Sequence, residues 1–372
     1  MYLKGFFLTI LLVFLLLPVL ARTPAEQMVA TEKSHAGDPD ASQRSDSSMF
    51  GKRGCYIGVY PGWGPNEDEV DAQKLYDFQR LSGKGVTVVP FSSFWGQLEV
   101  SGRPLIEIDR YGAIPMLRLM PWGKPYWQAK SQSIYSLQKI IDGDHDWYLN
   151  HWAAVLKNYG KPVLVTFAPE MNGDWFPWAG VFQGGGEARP SGDQQKTDGP
   201  EKYAAAFRHI IDLFRSREVK NVQWVFQPSH RSHPNEPWNS MKSYYPGDDY
   251  IDWIGVSLYG VQFQDEPWEG FVKLMDAAYA DLASISTNKP LMLSEWSVGE
   301  WPEKGSKAAW YAEALSSLQI RYPQIKIAII WHAKWQNKNG TWSNLRIDSS
   351  PEALQAYREG VRSDYFIGSI KK

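Results

Sequence analysis

Cysteine is nearly absent from this chain, and neither sign of charge is in excess. The single cysteine, Cys55, excludes an intrachain disulfide and a zinc site built from several cysteines. With 39 lysines and arginines against 41 aspartates and glutamates, the formal net charge is −2. Binding to nucleic acid requires a strongly basic surface, so we expect no nucleic-acid partner.

A long apolar run occurs only at the N-terminus of the sequence. Residues 5–20 are almost wholly apolar and follow Lys4. This layout predicts a secretory signal peptide at residues 1–21, which is short for a membrane span, with an uncleaved anchor as the alternative. Residues 22–50 are polar and predict a disordered linker. We therefore expect a secreted or periplasmic protein, monomeric, whose folded domain covers residues 51–365.

Aromatic residues are abundant: 18 Trp, 19 Tyr and 16 Phe make up 14% of the chain. Flat rings with a polar edge are the surfaces on which sugar rings stack, so carbohydrate is a candidate ligand. The alternative is that the rings belong to a large core, where aromatic side chains contribute strongly to packing.

Short apolar runs recur after residue 51 and predict eight strands, at Tyr56–Tyr60, Val86–Phe91, Ile114–Met120, Val163–Phe167, Val222–Phe226, Trp253–Leu258, Leu291–Leu293 and Ile325–Trp331. Helix-like stretches lie between most of them, at Val70–Leu81, Trp147–Tyr159, Tyr203–Arg215, Phe271–Ala283 and Ala308–Leu318, with a last one at Pro351–Val361. No long helix is evident between the fifth and sixth strands. Continuous apolar strands that alternate with helices predict a parallel α/β sheet, and a count of eight predicts a single (β/α)8 TIM barrel. The alternative is an open doubly wound sheet, but no Gly-x-Gly-x-x-Gly turn follows the first strand.

Chemistry in such a barrel lies just past the C-terminal ends of the strands. Glu170 follows the predicted fourth strand, Glu295 follows the seventh, and at least six aromatic residues also lie at strand ends. This clustering favours a sugar-binding cleft with two carboxylates. The alternative is that each glutamate pairs with a lysine or arginine at the barrel top and has no catalytic role.

Two facing carboxylates suit the hydrolysis of a glycosidic bond. One protonates the leaving oxygen, and the other meets the positive charge that develops at the sugar carbon. Strands four and seven lie on opposite sides of the barrel mouth, so Glu170 and Glu295 are able to bracket a sugar. Arg118 is a charge inside an apolar strand and should have an acidic partner, either in this site or in a structural ion pair.

The motifs around these residues resemble those of glycoside hydrolase family 26, a β-mannanase family of a large barrel clan. Residues 170–175, Glu-Met-Asn-Gly-Asp-Trp, resemble the acid/base motif of the family. Residues 245–255 resemble the run into its sixth strand, and residues 293–295 resemble its nucleophile strand. The resemblance extends over most of residues 55–360.

The resemblance implies a role for each residue of the site. Glu170 is then the acid/base, Glu295 the nucleophile, and Tyr259 a hydrogen-bond partner of the nucleophile. Trp175 and Trp331 are then platforms for sugar rings. The predicted substrate-binding set also contains Asn172, Arg118 and Trp122.

The implied activity is that of a retaining glycoside hydrolase of β-linked polysaccharides, an endo-β-1,4-mannanase or a related β-glycanase. One residue departs from the family pattern, because the mannanases carry a histidine immediately before the acid/base and this chain carries Pro169, which has no side-chain donor. Members that act on β-1,3 or mixed-linkage β-glucans are therefore alternatives. A secreted, non-catalytic carbohydrate-binding protein is the competing function, but the presence of both glutamates and Tyr259 favours an enzyme.

No further motif predicts a metal or a cofactor, and we expect neither. His230 and His233 have the spacing of a metal pair, but no Glu-x-x-His context surrounds them. The sequence therefore favours the interpretation that these two histidines lie in a loop over the interpretation that they form a metal pair.

Overall fold

A computed structural model describes residues 50–51, 53–126, 130–187 and 198–370. The predicted signal peptide and all of the predicted linker except Phe50 lie outside these described residues. No helix in the described part of the chain is long and apolar enough to span a membrane.

Eight parallel strands close into a barrel, which confirms the predicted TIM fold and excludes an open sheet. Neighbouring strands pair in chain order, and β1 also pairs with β8 from Tyr56↔Ile327 to Tyr60↔Trp331. The strands are β1 Cys55–Tyr60, β2 Val88–Phe94, β3 Ile114–Met120, β4 Val163–Phe167, β5 Val222–Phe226, β6 Trp253–Tyr259, β7 Leu291–Ser297 and β8 Ile325–Trp331.

Helices follow the strands and cover the outside of the barrel. Their ends carry ordinary capping residues: the side chain of Asp71 caps the first helix, which ends at the left-handed Gly83. Between β5 and β6, where every residue is described, the chain forms only the short 3-10 helices Pro237–Asn239 and Met241–Tyr244, as the sequence predicted. The α-helices are α1 Ala72–Ser82, α2 Arg103–Tyr111, α3 Leu137–Ile141, α4 Asp146–Tyr159, α5 Asp198–Ser216, α6 Phe271–Ile285, α7 Lys307–Ile320 and α8 Pro351–Val361.

Both ends of the folded domain differ slightly from the predicted bounds. Phe50, predicted to end the linker, is buried and packs edge-on against Tyr56 and Trp253. At the other end a short strand, Phe366–Ile367, pairs in parallel with β1 and extends the fold past residue 365. All described residues belong to one compact unit.

An irregularity in β7 decides where Glu295 points. In a regular strand, alternate residues face the same side. Leu293 packs in the core shared with the helices, whereas Met292 packs inside the barrel. The register against β6 then shifts by one, so that Ser294 is an extra residue and Glu295 pairs with Ser257. This β-bulge turns Glu295 into the barrel, although in a regular strand it would share the helix-facing side with Leu293.

The bulge fits because β6 carries a glycine opposite it. A Cβ atom added at Gly255 would lie 2.0 Å from Oγ of Ser294 and 3.2 Å from a methyl carbon of Val225. Both Ser294 and Val225 are buried. Only glycine therefore leaves room for the bulged serine inside the barrel.

We expect Gly255→Ala to lower the free energy of unfolding by about 1–3 kcal/mol, the usual range for overpacking a core. Chemical denaturation measures this loss, and the same variant should lose activity because the bulge carries Glu295. Combining it with Ser294→Ala should recover part of the stability by removing the clashing oxygen. A Gly255→Ala variant with unchanged stability and activity would contradict the role assigned to this glycine.

Candidate active site

A cleft of about 530 Å³ opens at the C-terminal ends of the barrel strands. Five glutamates line it, and three of them, Glu67, Glu170 and Glu295, lie there together with the guanidinium of Arg118; the other two are Glu266 and Glu269. The structure thus brings both predicted catalytic glutamates into one cleft.

Glu295 is almost fully buried, with 6% of its surface exposed, and each of its carboxylate oxygens accepts a hydrogen bond. The Tyr259 hydroxyl donates to Oε2 at 2.7 Å, and Nε2 of Gln227 donates to Oε1 at 3.0 Å. Arg118 donates to the same Oε1 from Nη1. A buried carboxylate needs such partners, and here they also fix its orientation.

Arg118 lies in the middle of β3 and is 4% exposed. Its guanidinium forms ion pairs with Glu67 and Glu295, and its Nε donates to Oγ of Ser92 at 3.0 Å. The expectation of an acidic partner is confirmed, and the contact lies in the cleft. The guanidinium carbon also lies 4.7 Å from the ring centre of Trp331, within cation–π range. Arg118 therefore links the nucleophile candidate to a candidate sugar platform.

The backbone that carries Glu170 adopts an uncommon conformation. Ala168 has φ +45° and Glu170 has φ +58°, a left-handed region that non-glycine residues rarely adopt. The amide of Glu170 donates to the carbonyl oxygen of Gln227 at 2.7 Å, and Nε1 of Trp178 donates to the carbonyl oxygen of Pro169 at 2.7 Å. Strained residues of this kind persist where the surroundings hold them, and they cluster at functional sites.

The Glu170 carboxyl group lies in an environment that favours its protonated form. Nε1 of Trp175 donates to Oε2 at 2.6 Å. Burial, and then repulsion from Glu295, raise the pKa of Glu170 to about 7, although hydrogen bonds from Ser257 and Trp175 and the charge of Arg118 act in the opposite direction. Near neutral pH a large fraction of Glu170 therefore holds a proton.

The three predicted tryptophans all line the cleft. The Trp331 ring stacks on Tyr60 with 3.7 Å between ring centres, so at most one of its faces is open to a sugar. Trp175 is partly buried, and its contact with Glu170 was not predicted. Trp122 is 7% exposed and packs edge-on against Phe94.

Asn172, which was predicted to bind substrate, is not among the residues that line the cleft. Its side chain is fully buried: Nδ2 donates to the carbonyl oxygen of Ser229 at 2.9 Å, and Oδ1 accepts from the amide of Ser229 at 2.8 Å. Its own carbonyl oxygen accepts from the amide of His233 at 2.8 Å. Asn172 instead joins the loop after β4 to the loop after β5.

His230 and His233 lie in that second loop and line the cleft. Burial, and then the charge of Arg231, lower the pKa of His230 to about 4, so its ring is neutral. Nδ1 lies 3.2 Å from the carbonyl oxygen of Ser257, which can only accept, so this nitrogen carries the hydrogen. Among the described residues no group of three or more metal-ligating side chains occurs.

Sequence reasoning missed three residues of the site: Glu67, Gln227 and Ser257. Gln227 follows β5 directly, and Ser257 lies in β6 one pleat before Tyr259. Because both residues lie near the C-terminal ends of barrel strands, their positions in the sequence could have identified them as site residues. Glu67 lies in a loop after β1 with φ +58°, and nothing in its local sequence marks it.

Comparison with known proteins assigns the chain to a family. Residues 133–337, more than half of the chain, match the family model described as glycosyl hydrolase family 26. This chain belongs to glycosyl hydrolase family 26. The family resemblance drawn from the sequence motifs is confirmed.

Similarity extends to curated proteins with different named activities. Endoglucanase H of Acetivibrio thermocellus is 33% identical over 312 residues, which are 83% of this chain and 30% of that protein. Mannan endo-1,4-beta-mannosidase A and B of Caldalkalibacillus mannanilyticus is 28% identical over 191 residues, 50% of this chain and 31% of that protein. The chain therefore spans less than a third of the length of these curated relatives.

A solved structure supports the same fold. The modular endo-beta-1,4-mannanase of Cellulomonas fimi superposes with a TM-score of 0.63 at 15% identity, over 91% of this chain and 78% of that one. At this identity the likeness concerns the fold alone.

Proposed function

We propose that this chain is a β-glycanase that hydrolyses the backbone of a β-linked glucan with retention of configuration. Glu295 is the nucleophile and Glu170 the acid/base. One observation carries the proposal: a carboxylate held by three donors shares a cleft with a second carboxyl group whose pKa is raised to about 7. This is the division of roles that a double displacement requires.

In the first step an oxygen of Glu295 bonds to the anomeric carbon while the bond from that carbon to the leaving oxygen breaks. Glu170 transfers its proton to the leaving oxygen, so the departing sugar is a neutral alcohol. In the second step Glu170, now a carboxylate, takes a proton from water as the water oxygen displaces Glu295. The sugar is released, and both glutamates return to their starting states.

The neighbours of Glu295 position it for attack. Burial and the two nearby glutamates raise the pKa of Tyr259 well above its ordinary value, so its hydroxyl remains a donor. Gln227 joins the two glutamates, since its side chain holds Glu295 while its carbonyl oxygen holds the amide of Glu170. These contacts preorganise both carboxyl groups before a sugar binds.

The choice of a glucan over a mannan rests on two observations. The relative named an endoglucanase matches 83% of this chain, whereas the relative named a mannan endo-mannosidase matches 50%. Pro169 also stands where the resemblance to the mannanases places a histidine. A β-1,4-mannan is the second candidate, supported by that mannosidase.

Hydrolysis assays on mixed-linkage β-glucan, mannan, glucomannan and xylan test the proposal, with Glu295→Ala as the inactive control. We expect the wild type to release oligosaccharides from β-glucan, and NMR should detect the β-anomer as the first product. If the wild type cleaves mannan and none of the other polysaccharides, the proposed substrate is a mannan instead of a glucan. Binding without hydrolysis of any of the four would favour the non-catalytic alternative and overturn the proposal.

The hydrogen bond from Trp175 to Glu170 gives a prediction about pH. Trp175→Phe keeps a ring but removes the donor that lowers the pKa of Glu170, so this pKa should rise. The basic limb of the kcat/KM profile should move to higher pH. Trp122→Phe is the matched control, because Nε1 of Trp122 has no partner among the described residues and does not touch Glu170. An unmoved basic limb in Trp175→Phe would contradict the assignment.

A further inference from the structure

Glu67 is a carboxylate of the cleft that takes no part in the bond changes of the proposed reaction. It lies in the loop after β1 and forms an ion pair with Arg118, whose guanidinium also pairs with Glu295. The backbone of Glu67 adopts the left-handed region, with φ +58°. This conformation is uncommon for a residue other than glycine, and it persists where the surrounding contacts hold it.

Contacts with β2 and β3 hold Glu67 in place. The amide of Ser92 donates to the carbonyl oxygen of Glu67 at 2.9 Å, and the Ser92 hydroxyl donates to Oε2 at 2.7 Å. Nη2 of Arg118 donates to the same Oε2, and Nε of Arg118 donates to Oγ of Ser92 at 3.0 Å. The three side chains thus form a closed ring of hydrogen bonds, which leaves Nη1 of Arg118 directed at Glu295.

Arg118 carries a permanent positive charge in a place that water hardly reaches. Its side chain is 4% exposed, and a guanidinium does not lose its proton in a protein. Although burial alone would lower the pKa of Arg118, Glu67 and then Glu295 raise it above its ordinary value. The rings of Tyr60 and Trp331, which also lie near the guanidinium, carry no formal charge. Among the described residues, Arg118 forms ion pairs with these two glutamates and with no other carboxylate.

The charge of Glu295 changes during the proposed reaction. Its oxygen gives an electron pair to the anomeric carbon while the bond to the leaving oxygen breaks, so the carboxylate becomes a neutral ester. Glu170 becomes a carboxylate as it gives up its proton, but within the described part of the chain it forms no ion pair with Arg118. In the glycosyl-enzyme, Glu67 is therefore the carboxylate that remains in contact with Arg118.

A buried cation without a counterion is strongly destabilising, so the loss of the Glu67 charge affects the two states of the enzyme unequally. The free enzyme would still pair Arg118 with Glu295, whereas the glycosyl-enzyme would have no carboxylate in contact with it. We propose that Glu67 is a positioning residue that serves as the counterion of Arg118 in the covalent intermediate and thereby favours formation of that intermediate. This inference rests on the proposed function, in which Glu295 forms the intermediate.

The test measures the two half-reactions separately in Glu67→Gln, whose amide oxygen can still accept from Arg118 and Ser92 but has no charge. The probe is a fluorinated β-gluco-oligosaccharide with a dinitrophenyl leaving group, or its manno counterpart if mannan is the substrate. The rate of inactivation reports formation of the glycosyl-enzyme, and the rate of recovery after the probe is removed reports its hydrolysis. We expect inactivation about tenfold slower than in the wild type, equivalent to about 1.4 kcal/mol in the barrier. Recovery should be at least as fast as in the wild type, because hydrolysis restores the charge of Glu295.

Asp68→Asn is the matched control, because it removes one charge from the next residue of the same loop. Asp68 accepts from Nε2 of Gln97 at 3.0 Å and, among the described residues, forms no ion pair with Arg118. Both rates should equal those of the wild type in this variant. Glu67→Asp, which keeps the charge, should regain part of the inactivation rate.

Three results would overturn the inference. One is an equal fall of both rates in Glu67→Gln with a lower melting temperature, which would mean that Glu67 only supports the fold. Another is that neither rate changes. The third is the same unequal change in Asp68→Asn, which would assign the effect to the overall charge of the cleft. Failure of the proposed function is distinguishable, because the probe would then leave Glu295 of the wild type unlabelled, and the inference would fall with it.

Discussion

Glu295→Ala is expected to lower kcat by at least about a thousandfold, which corresponds to about 4 kcal/mol in the activation barrier. A covalent nucleophile forms the bond that replaces the glycosidic bond, and no neighbour takes over that role. Glu295→Gln is the better folded companion, because its amide oxygen can still accept from Arg118 and Gln227, which both donate to Oε1 of Glu295. Steady-state kinetics on the preferred polysaccharide measure the loss.

A matched control separates the covalent role from the local charge. Glu67→Gln removes the other carboxylate partner of Arg118 but none of the proposed reacting groups, so we expect a far smaller loss. Incubation with a fluorinated glycoside inactivator followed by mass spectrometry should place the sugar on the peptide that contains Glu295. A Glu295→Ala variant that keeps more than about a tenth of wild-type kcat, a difference of only about 1.4 kcal/mol, would exclude Glu295 as the nucleophile.

Glu170→Ala should be nearly as damaging on natural glycans, because the alkoxide of a sugar is a poor leaving group without a proton. On an activated aryl glycoside, which leaves unprotonated, the first step should be slowed much less. The ratio of the two losses is the diagnostic quantity. Equal losses on both substrates would mean that Glu170 binds sugar or supports the fold.

The pH profile tests the same residue independently. With the pKa of Glu170 raised to about 7, kcat/KM of the wild type should fall as pH rises through neutrality, because the acid loses its proton. A bell-shaped profile of two coupled carboxyl groups also has a limb at acidic pH. In Glu170→Ala, assayed on the aryl substrate where the first step is visible, the basic limb should vanish and the acidic limb persist. If the basic limb persists in Glu170→Ala, a group other than Glu170 donates the proton to the leaving oxygen.

The barrel was predictable because each strand is a continuous apolar run, and four strands have the predicted bounds, for example β4 at Val163–Phe167. The helix α2, Arg103–Tyr111, was not predicted. It has nine residues, of which Pro104, Leu105 and Ile108 are buried, so a helical pattern is present in the sequence but the segment is short and was overlooked.

The site was predictable where strand ends carry distinctive residues, as with Glu170 and Glu295. The acidic partners of Arg118 were not predictable, because a charge in an apolar strand indicates that it has an acidic partner but not which residue that partner is. Glu295 is 177 residues away along the chain, and Glu67 reaches the guanidinium from a loop whose path depends on the assembled barrel. The burial of Asn172 likewise depends on the loop after β5, which local sequence does not place.

The bulge at Ser294 has a consequence for attempts to build such a site by design. A glutamate placed in a regular seventh strand, at the spacing of Leu291, Leu293 and Glu295, would face the helices and meet no sugar. Deleting a single residue between Met292 and Glu295 would have the same effect here, even though every catalytic side chain would still be encoded. Transferring this active site to another barrel therefore requires three features together. They are the carboxylate, one extra residue before it that forms the bulge, and a glycine at the position of Gly255 that leaves room for the side chain of that extra residue.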